Sequence, residues 1–231
     1  MRRLAFAALL ACALLVVPEA RATGAGTRTV TGIALDAPWK VTVYEMVRAK
    51  FHHPGWGWQH SERDYQLATE VAQGDGLTVD NDVLFAAAML HDMAAFPPYE
   101  KAGTEHGDRA AETSEAVLRA AGFPMRKFPA VQAAMRGHMY YSEAGTVPEA
   151  IALHDADSLD FLGVVGAARM LALTGSDKGD VQPALKSLRK FVAEIPPRLI
   201  TRTARRLGAV RAGELSSLLD HLEAETYNDT I

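Results

Sequence analysis

The chain has 231 residues, of which 48% are hydrophobic and 23% are charged, and its formal net charge is −4. A single cysteine, Cys12, excludes a disulfide within the chain and a cysteine-rich metal site. The acidic balance argues against a nucleic-acid partner, and the length suits one domain with a sizeable core.

The first 22 residues have the pattern of a secretory signal peptide. Arg2 and Arg3 precede an apolar run over 4–17, which is too short to span a bilayer comfortably. Residues 20–22, Ala-Arg-Ala, form a small-residue cleavage site. We therefore expect an exported protein, periplasmic or secreted, with no membrane anchor after cleavage.

Cys12 lies inside this leader. The sequence Leu-Leu-Ala-Cys at 9–12 also resembles a lipoprotein box, so lipidation stays open as an alternative. Cleavage after Ala22 would remove the cysteine, and any metal would then have to sit on histidines and carboxylates.

Most of the remaining chain has the hydrophobic periodicity of helices. Residues 23–36 are rich in Gly, Thr and Ala and predict a flexible lead-in, whereas 37–231 predict one helical domain. Strand-like alternation is scarce, so the expected fold class is all-α, a single-domain bundle. A capping-box pattern at 146–149, Thr-Val-Pro-Glu, predicts one helix start. The predicted helices are 39–52, 60–73, 80–93, 107–121, 126–139, 147–156, 157–174, 181–193 and 200–226.

The chain is organised around an apolar run at 84–90 that ends in His91 and Asp92. A helix that is apolar on every side is typical of a buried core helix. A buried carboxylate without a partner is costly, so Asp92 needs a cation, and a metal ion is the economical candidate. Pro97-Pro98 prevents the helix from continuing and places the pair beside a loop.

Other polar residues fall on apolar faces. His60 opens a helix whose later face carries Leu67 and Val71, His106 precedes another helix, and His138 lies near the end of a third. Asp157 and Asp160 share one helical face, and two carboxylates on a partly apolar face favour a cation.

The order His60, His91-Asp92, His106, His138, Asp157 resembles the HD superfamily of metal-dependent phosphohydrolases over roughly residues 58–175. The resemblance implies an all-α bundle in which His60, His91, Asp92 and Asp157 bind a first metal. In two-metal members, two further histidines hold a second ion and the carboxylate of the His-Asp pair bridges both ions. His106 and His138 match that order, and Asp92 is then both ligand and catalytic residue. Imidazole and carboxylate ligands suit Mn, Fe, Co, Ni or Zn.

The resemblance implies hydrolysis of a small phosphate ester by a metal-activated water, with a small molecule as the substrate. Arg63, one turn beyond His60, is the candidate phosphate-binding residue. Candidates for a general acid are Asp160, Asp108 and Glu143, which the sequence does not rank. The apolar residues at 93–97 stand where nucleotide-cleaving members often carry an acidic residue, which weakens a specific nucleotidase assignment.

Three other functions stay open. Di-iron oxygenases use the six-ligand pattern with O₂, and cyanamide hydratases use the four-ligand pattern to hydrate a small nitrile-like substrate. A non-catalytic binding module stabilised by its metal is the third. The sequence leaves the substrate, the metal, the number of ions and the oligomeric state open.

Overall fold

The computed structural model describes residues 27–176 and 181–227, so the predicted signal peptide, 1–22, lies outside the described residues. Within these two ranges the chain forms α-helices, three short 3₁₀ turns and no β-strand, and one isolated bridge joins Arg28 to Ala34. The all-α single-domain prediction is confirmed. The helices are α1 (Pro38–Lys50), α2 (Trp58–Asp75), α3 (Asn81–Leu90), α4 (His106–Ala121), α5 (Phe128–Arg136), α6 (Pro148–Asp160), α7 (Gly163–Ser176), α8 (Gln182–Glu194) and α9 (Arg202–Glu225).

Helix α2 lies against α6 along much of its length and also packs on α3 and α9. One apolar cluster fills the space around α1, α3, α4 and α5, and a second lies among α2, α6 and the three C-terminal helices. The polar residues of α2, α3 and α6 therefore meet where the two clusters adjoin.

Helix α3 is the buried centre of the bundle. Every residue from Val83 to Leu90 is buried, and each large side chain among them contributes about 1.5–3 kcal/mol by leaving water. The Asp80 side chain caps the helix by accepting a hydrogen bond from the Asp82 N–H. His91 follows directly, so the rigid helix holds it deep in the protein.

Two local expectations around α6 are corrected. The predicted boundary between helices 147–156 and 157–174 is wrong, because α6 continues unbroken to Asp160. The chain turns only before Gly163, whose φ of 70° favours glycine. The capping box does not form. Val147 is the N-cap residue without a side-chain hydrogen bond, and the Glu149 carboxylate accepts from the Asp80 N–H, which ties α6 to α3.

The described part of the lead-in, 27–36, differs from the flexible segment that we expected. Thr29 and Ile33 are buried, and the carboxylate of Glu62 on α2 accepts hydrogen bonds from the Thr29 hydroxyl at 3.0 Å and from the Thr31 N–H at 3.1 Å. The composition of this segment was misleading, because the residue that anchors it, Glu62, lies some thirty positions further along the chain.

Among the described residues, no helix combines the length and the apolar character needed to cross a membrane.

Candidate metal centre

Four histidines converge from four different elements. His60 lies in the first turn of α2, His91 follows α3, His106 begins α4 and His138 comes just after α5. A side chain at Gly107 would meet the Met135 carbonyl at 2.8 Å. The glycine therefore lets the start of α4 approach the end of α5, which brings His106 beside His138.

Each of these imidazoles is oriented through its Nδ1 atom, which leaves Nε2 to point into the centre. Such outer hydrogen bonds fix the ring and its tautomer in metal sites. The Nδ1 partners are the Ala88 carbonyl for His91 at 2.9 Å, the Met135 carbonyl for His138 at 2.6 Å, Asp160 for His60 at 2.8 Å and Glu105 for His106 at 2.8 Å.

The Nε2 atoms form two close pairs. Those of His60 and His91 are 3.3 Å apart, and those of His106 and His138 are 3.2 Å apart. Two neutral rings would present facing lone pairs at this distance, so a proton or a cation must lie between them. Two nitrogen ligands of one ion, each about 2.1 Å from it, lie roughly 3.0–3.4 Å apart. Both pairs fit that spacing.

Asp92 joins the two pairs. Its Oδ2 lies 3.3 Å from His91 Nε2 and 3.5 Å from His60 Nε2, while its Oδ1 lies 3.6 Å from His106 Nε2 and 3.7 Å from His138 Nε2. One carboxylate oxygen is thus directed at each pair. This arrangement suits the bridging role that the HD resemblance implies for Asp92.

Two further carboxylates complete the centre. Asp157 Oδ1 lies 3.2 Å from His60 Nε2, and Asp64 Oδ2 lies 3.2 Å from the same nitrogen. Both Asp64 oxygens and the second Asp157 oxygen are buried without a hydrogen-bond partner. Buried carboxylate oxygens are normally paired or bind a metal, so these unpartnered oxygens fit a cation. The donors form two sets that could hold an ion: His60, Asp64, His91 and Asp157; and His91, Asp92 and His138.

Sequence reasoning missed Asp64. The available signal was its i,i+4 spacing from His60, which places both side chains on one face of α2. The fold brings together all of the predicted ligands, which are His60, His91, Asp92, Asp157, His106 and His138.

The buried charges perturb one another. Burial opposes ionisation of Asp92, yet the nearby imidazoles of His91 and His138 hold the pKa of this carboxyl well below its usual range. Burial also disfavours the charged form of His138, but hydrogen bonding to Asp92 and the charge of Asp157 raise its pKa to about 9. Desolvation raises the pKa of Asp64 to about 7, against the charge of His60. Positive charge is therefore favoured in the centre, in the form of protons or of a cation.

Arg63 and Asp160 lie behind His60. The Arg63 guanidinium donates through Nε to Asp160 Oδ1 at 2.9 Å and through Nη2 to Oδ2 at 2.9 Å, and Arg169 donates to Oδ2 at 2.8 Å. Arg63 lines a second pocket, to which His52, His53, His60 and Arg169 also contribute. Its predicted contact with substrate stays a prediction, and the structure shows that Asp160 already engages its guanidinium.

The three candidates for the general acid occupy different surroundings. Asp160 is buried and fully engaged by His60 and the two arginines. Asp108 is exposed and lies 3.4 Å from Arg136, and Glu143 is also exposed. None of the three lines the cleft beside the histidines.

A cleft of about 340 Å³ opens onto the centre beside Asp92, His106 and Asp157. The rest of its lining is apolar and comprises Trp56, Ala95, Met139, Phe161, Met170 and Phe191. No lysine or arginine is among these lining residues. Trp56 lines this cleft, whereas Phe96 is buried and stacks on Phe51.

The fold and centre correspond to a known class. The profile of the HD domain matches residues 57–162, a span that contains His60, His91, Asp92 and Asp157. This match confirms the resemblance found in the sequence. With the buried His/Asp group, the match supports a metal-dependent hydrolase.

Several solved structures share the fold, while no curated protein matches the chain. A Lactobacillus plantarum protein is 21% identical with a TM-score of 0.64, covering 83% of this chain and 98% of its own. Bacillus subtilis YpgQ in complex with ADP is 21% identical with a TM-score of 0.62, covering 80% and 97%. A predicted HD superfamily hydrolase from an uncultured Thermotogales bacterium is 23% identical with a TM-score of 0.57, covering 80% and 90%.

Proposed function

We propose that this protein hydrolyses a small phosphate ester whose leaving group is apolar. The observation that carries the proposal is the position of Asp92, which faces two histidine pairs and also lines an apolar cleft. YpgQ, which shares the fold, was crystallised with ADP, a phosphate-bearing ligand. The proposed substrate places its phosphoryl group beside Asp92 and its apolar part against Phe161 and Phe191.

The donors present fit a divalent transition metal, from Mn, Fe, Co, Ni or Zn, because they are imidazoles and carboxylates. His60, His91, Asp92 and Asp157 would hold a first ion, and His106 and His138 would hold a second with Asp92 between them. When bound, such an ion supplies Lewis acidity toward a phosphoryl oxygen and makes water more acidic.

The protein's own residues position the metal-binding side chains and exclude water from the cleft. Asp160 fixes the His60 ring from behind, and the carbonyls of Ala88 and Met135 fix His91 and His138. The apolar walls of the cleft limit the water around the reacting group, which strengthens electrostatic interactions there.

The test is a comparison of metal-loaded mature protein with His91→Ala on p-nitrophenyl phosphate, 1-naphthyl phosphate and methyl phosphate. We expect turnover that depends on added metal, is abolished by His91→Ala and is fastest with the aryl esters. His221→Ala, which changes a histidine lining a different pocket, should retain full activity. Absence of phosphoester cleavage with every divalent metal would contradict the proposal.

A second candidate is favoured by the absence of lysine and arginine from the cleft lining. A cleft without cationic side chains also suits a small uncharged substrate, as in hydration of a nitrile-like molecule or in a di-iron oxygenation. Consumption of cyanamide, or of O₂ with iron bound, would favour these reactions. If the metal binds but none of these reactions occurs, the non-catalytic module would be the better description.

We also propose that the protein acts after export. The support is the leader pattern of residues 1–22. A mature N-terminus at Thr23 in a periplasmic or secreted fraction is the expected result, and a full-length cytoplasmic chain would contradict it.

A further inference from the structure

Asp64 is a buried carboxylate with no hydrogen-bond donor. It lies on α2 one turn after His60 and is 0% exposed. Neither carboxylate oxygen has a hydrogen-bond partner, while Oδ2 lies 3.2 Å from His60 Nε2 and 3.5 Å from His91 Nε2. Asp64 is thus directed at the same nitrogens that Asp92 and Asp157 approach.

Other buried carboxylates of this protein have structural partners. Asp155 accepts hydrogen bonds from the N–H groups of Ile200 and Thr201, each at 2.8 Å, and Glu62 accepts from the Tyr44 hydroxyl at 2.6 Å. The unpartnered buried oxygens occur on Asp64 and Asp157 alone among the described residues. Both belong to the donor set around His60 and His91.

Arginine does not compensate Asp64. The guanidinium groups of Arg63 and Arg169 are directed at Asp160 and hydrogen-bonded to it. Leaving a carboxylate buried without a compensating partner strongly disfavours its charged form. A cation bound between Asp64 and the two imidazoles compensates that charge.

We propose that Asp64 is a direct ligand of the ion held by His60, His91 and Asp157. It adds a third carboxylate to a centre for which the HD resemblance implies only Asp92 and Asp157. The inference depends on the metal centre and not on the substrate proposed above. The added oxygen donor shifts the preference of the centre toward harder ions such as Mn²⁺ relative to Zn²⁺.

The experiment uses mature protein stripped of metal and titrated with Mn²⁺, Zn²⁺ and Co²⁺, for the wild type, Asp64→Asn and Asp64→Leu. Bound metal is measured by elemental analysis, the melting temperature is recorded with and without metal, and the Co²⁺ absorption spectrum reports the ligand set. We expect Asp64→Asn to weaken metal binding at the higher-affinity site 10-fold or more, and to weaken Mn²⁺ binding more than Zn²⁺ binding. The Co²⁺ spectrum should also change.

The melting temperatures of Asp64→Leu with and without metal should differ from those of the wild type in two ways. Without metal, Asp64→Leu should melt at or above the wild-type temperature, because it removes an uncompensated buried carboxylate. With metal, the gain in melting temperature should be smaller than in the wild type. Asp155→Asn is the matched control, because it removes a buried carboxylate that accepts hydrogen bonds from the Ile200 and Thr201 N–H groups just before α9. It should lower both melting temperatures and leave metal affinity unchanged.

Wild-type affinity and an unchanged Co²⁺ spectrum in Asp64→Asn would overturn the proposal and make Asp64 a buried neutral acid. A metal-free wild type under every condition would overturn the metal centre itself. Tight metal binding that depends on Asp64, in a protein that cleaves no phosphate ester, would support this inference and contradict only the proposed reaction.

Discussion

Asp160 holds the imidazole of His60 from behind, with Oδ2 2.8 Å from His60 Nδ1 on the edge of the ring opposite Nε2. The hydrogen bond spans 100 positions of the chain and joins α2 to the last residue of α6. Arg63 and Arg169 fix the carboxylate in turn.

Asp160→Asn should weaken metal binding about 10- to 100-fold, since outer-shell partners of metal-binding histidines typically have effects of this size. The amide keeps the shape but loses the charge that pairs with both arginines. Calorimetric titration with Zn²⁺ measures the loss. Arg63→Gln is the control, because it leaves the acceptor of His60 in place and should cost less than tenfold. An unchanged affinity in Asp160→Asn would show that His60 does not need this partner.

His106→Ala should remove one of two bound ions, whereas His91→Ala should remove both. His91 belongs to both donor sets, whereas His106 is in neither and directs its Nε2 toward Asp92 Oδ1 and His138. Elemental analysis gives the number of ions per chain. His52→Ala, an exposed histidine outside the centre, should change nothing. One ion per chain in the wild type, retained in His106→Ala, would support a mononuclear centre.

Glu62→Ala should lower the free energy of unfolding by about 2–4 kcal/mol, because it leaves buried donors of Thr29 and Tyr44 unpaired. Urea unfolding of the two proteins measures this difference. Gln66→Ala, which removes an exposed bond to the Thr31 carbonyl, should change stability by less than about 0.5 kcal/mol. Equal losses in the two variants would mean that 27–36 is not anchored through Glu62.

Asp75→Asn should destabilise the protein by about 1–2 kcal/mol at pH 7. Hydrogen bonds from the Thr203 side chain, and from the backbone N–H groups of Thr203 and Arg202 at the start of α9, lower the pKa of Asp75 to about 2. Because the pKa of Asp75 is lower in the folded than in the unfolded protein, its ionised carboxylate stabilises the fold at pH values above the unfolded pKa of about 3.9. This stabilisation is lost as the pH falls toward 2.

The difference between Asp75→Asn and the wild type should therefore shrink below pH 4 in urea melts recorded from pH 7 to pH 3. Glu115→Gln, which changes an exposed pair with Arg119, should have a small effect throughout. A constant difference for Asp75→Asn over the whole range would contradict the assigned charge effect.

Phe191→Ala should raise KM for 1-naphthyl phosphate about 5- to 30-fold, the equivalent of about 1–2 kcal/mol of lost apolar contact. Its effect on methyl phosphate should be small, because that ester does not reach the apolar wall. Steady-state kinetics on both esters, at equal metal content, compares the two changes in KM. Val210→Ala changes an exposed residue on α9 and should leave both KM values unchanged. Equal changes for both esters would argue against an apolar leaving group.

The sequence by itself determined the helical class and most of the candidate donors. Hydrophobic periodicity is a local property, so the buried helix that ends before His91 could be read from 84–90. Histidines and carboxylates on otherwise apolar faces are unusual enough to single out His60, His138 and Asp157. Their order along the chain then indicated the HD superfamily, which the domain match confirmed.

The tertiary structure decided which of these groups meet and what holds them. Asp64 adjoins His91 only because α2 packs against α3, and Arg63 is engaged because Asp160, 97 positions away, lies beside it. Glu149 accepts a hydrogen bond from the Asp80 N–H instead of capping its own helix. Glu62 anchors the segment 27–36, which has the composition of a linker. These contacts depend on how whole helices pack, and packing is set by the shape and burial of many side chains at once rather than by any local pattern.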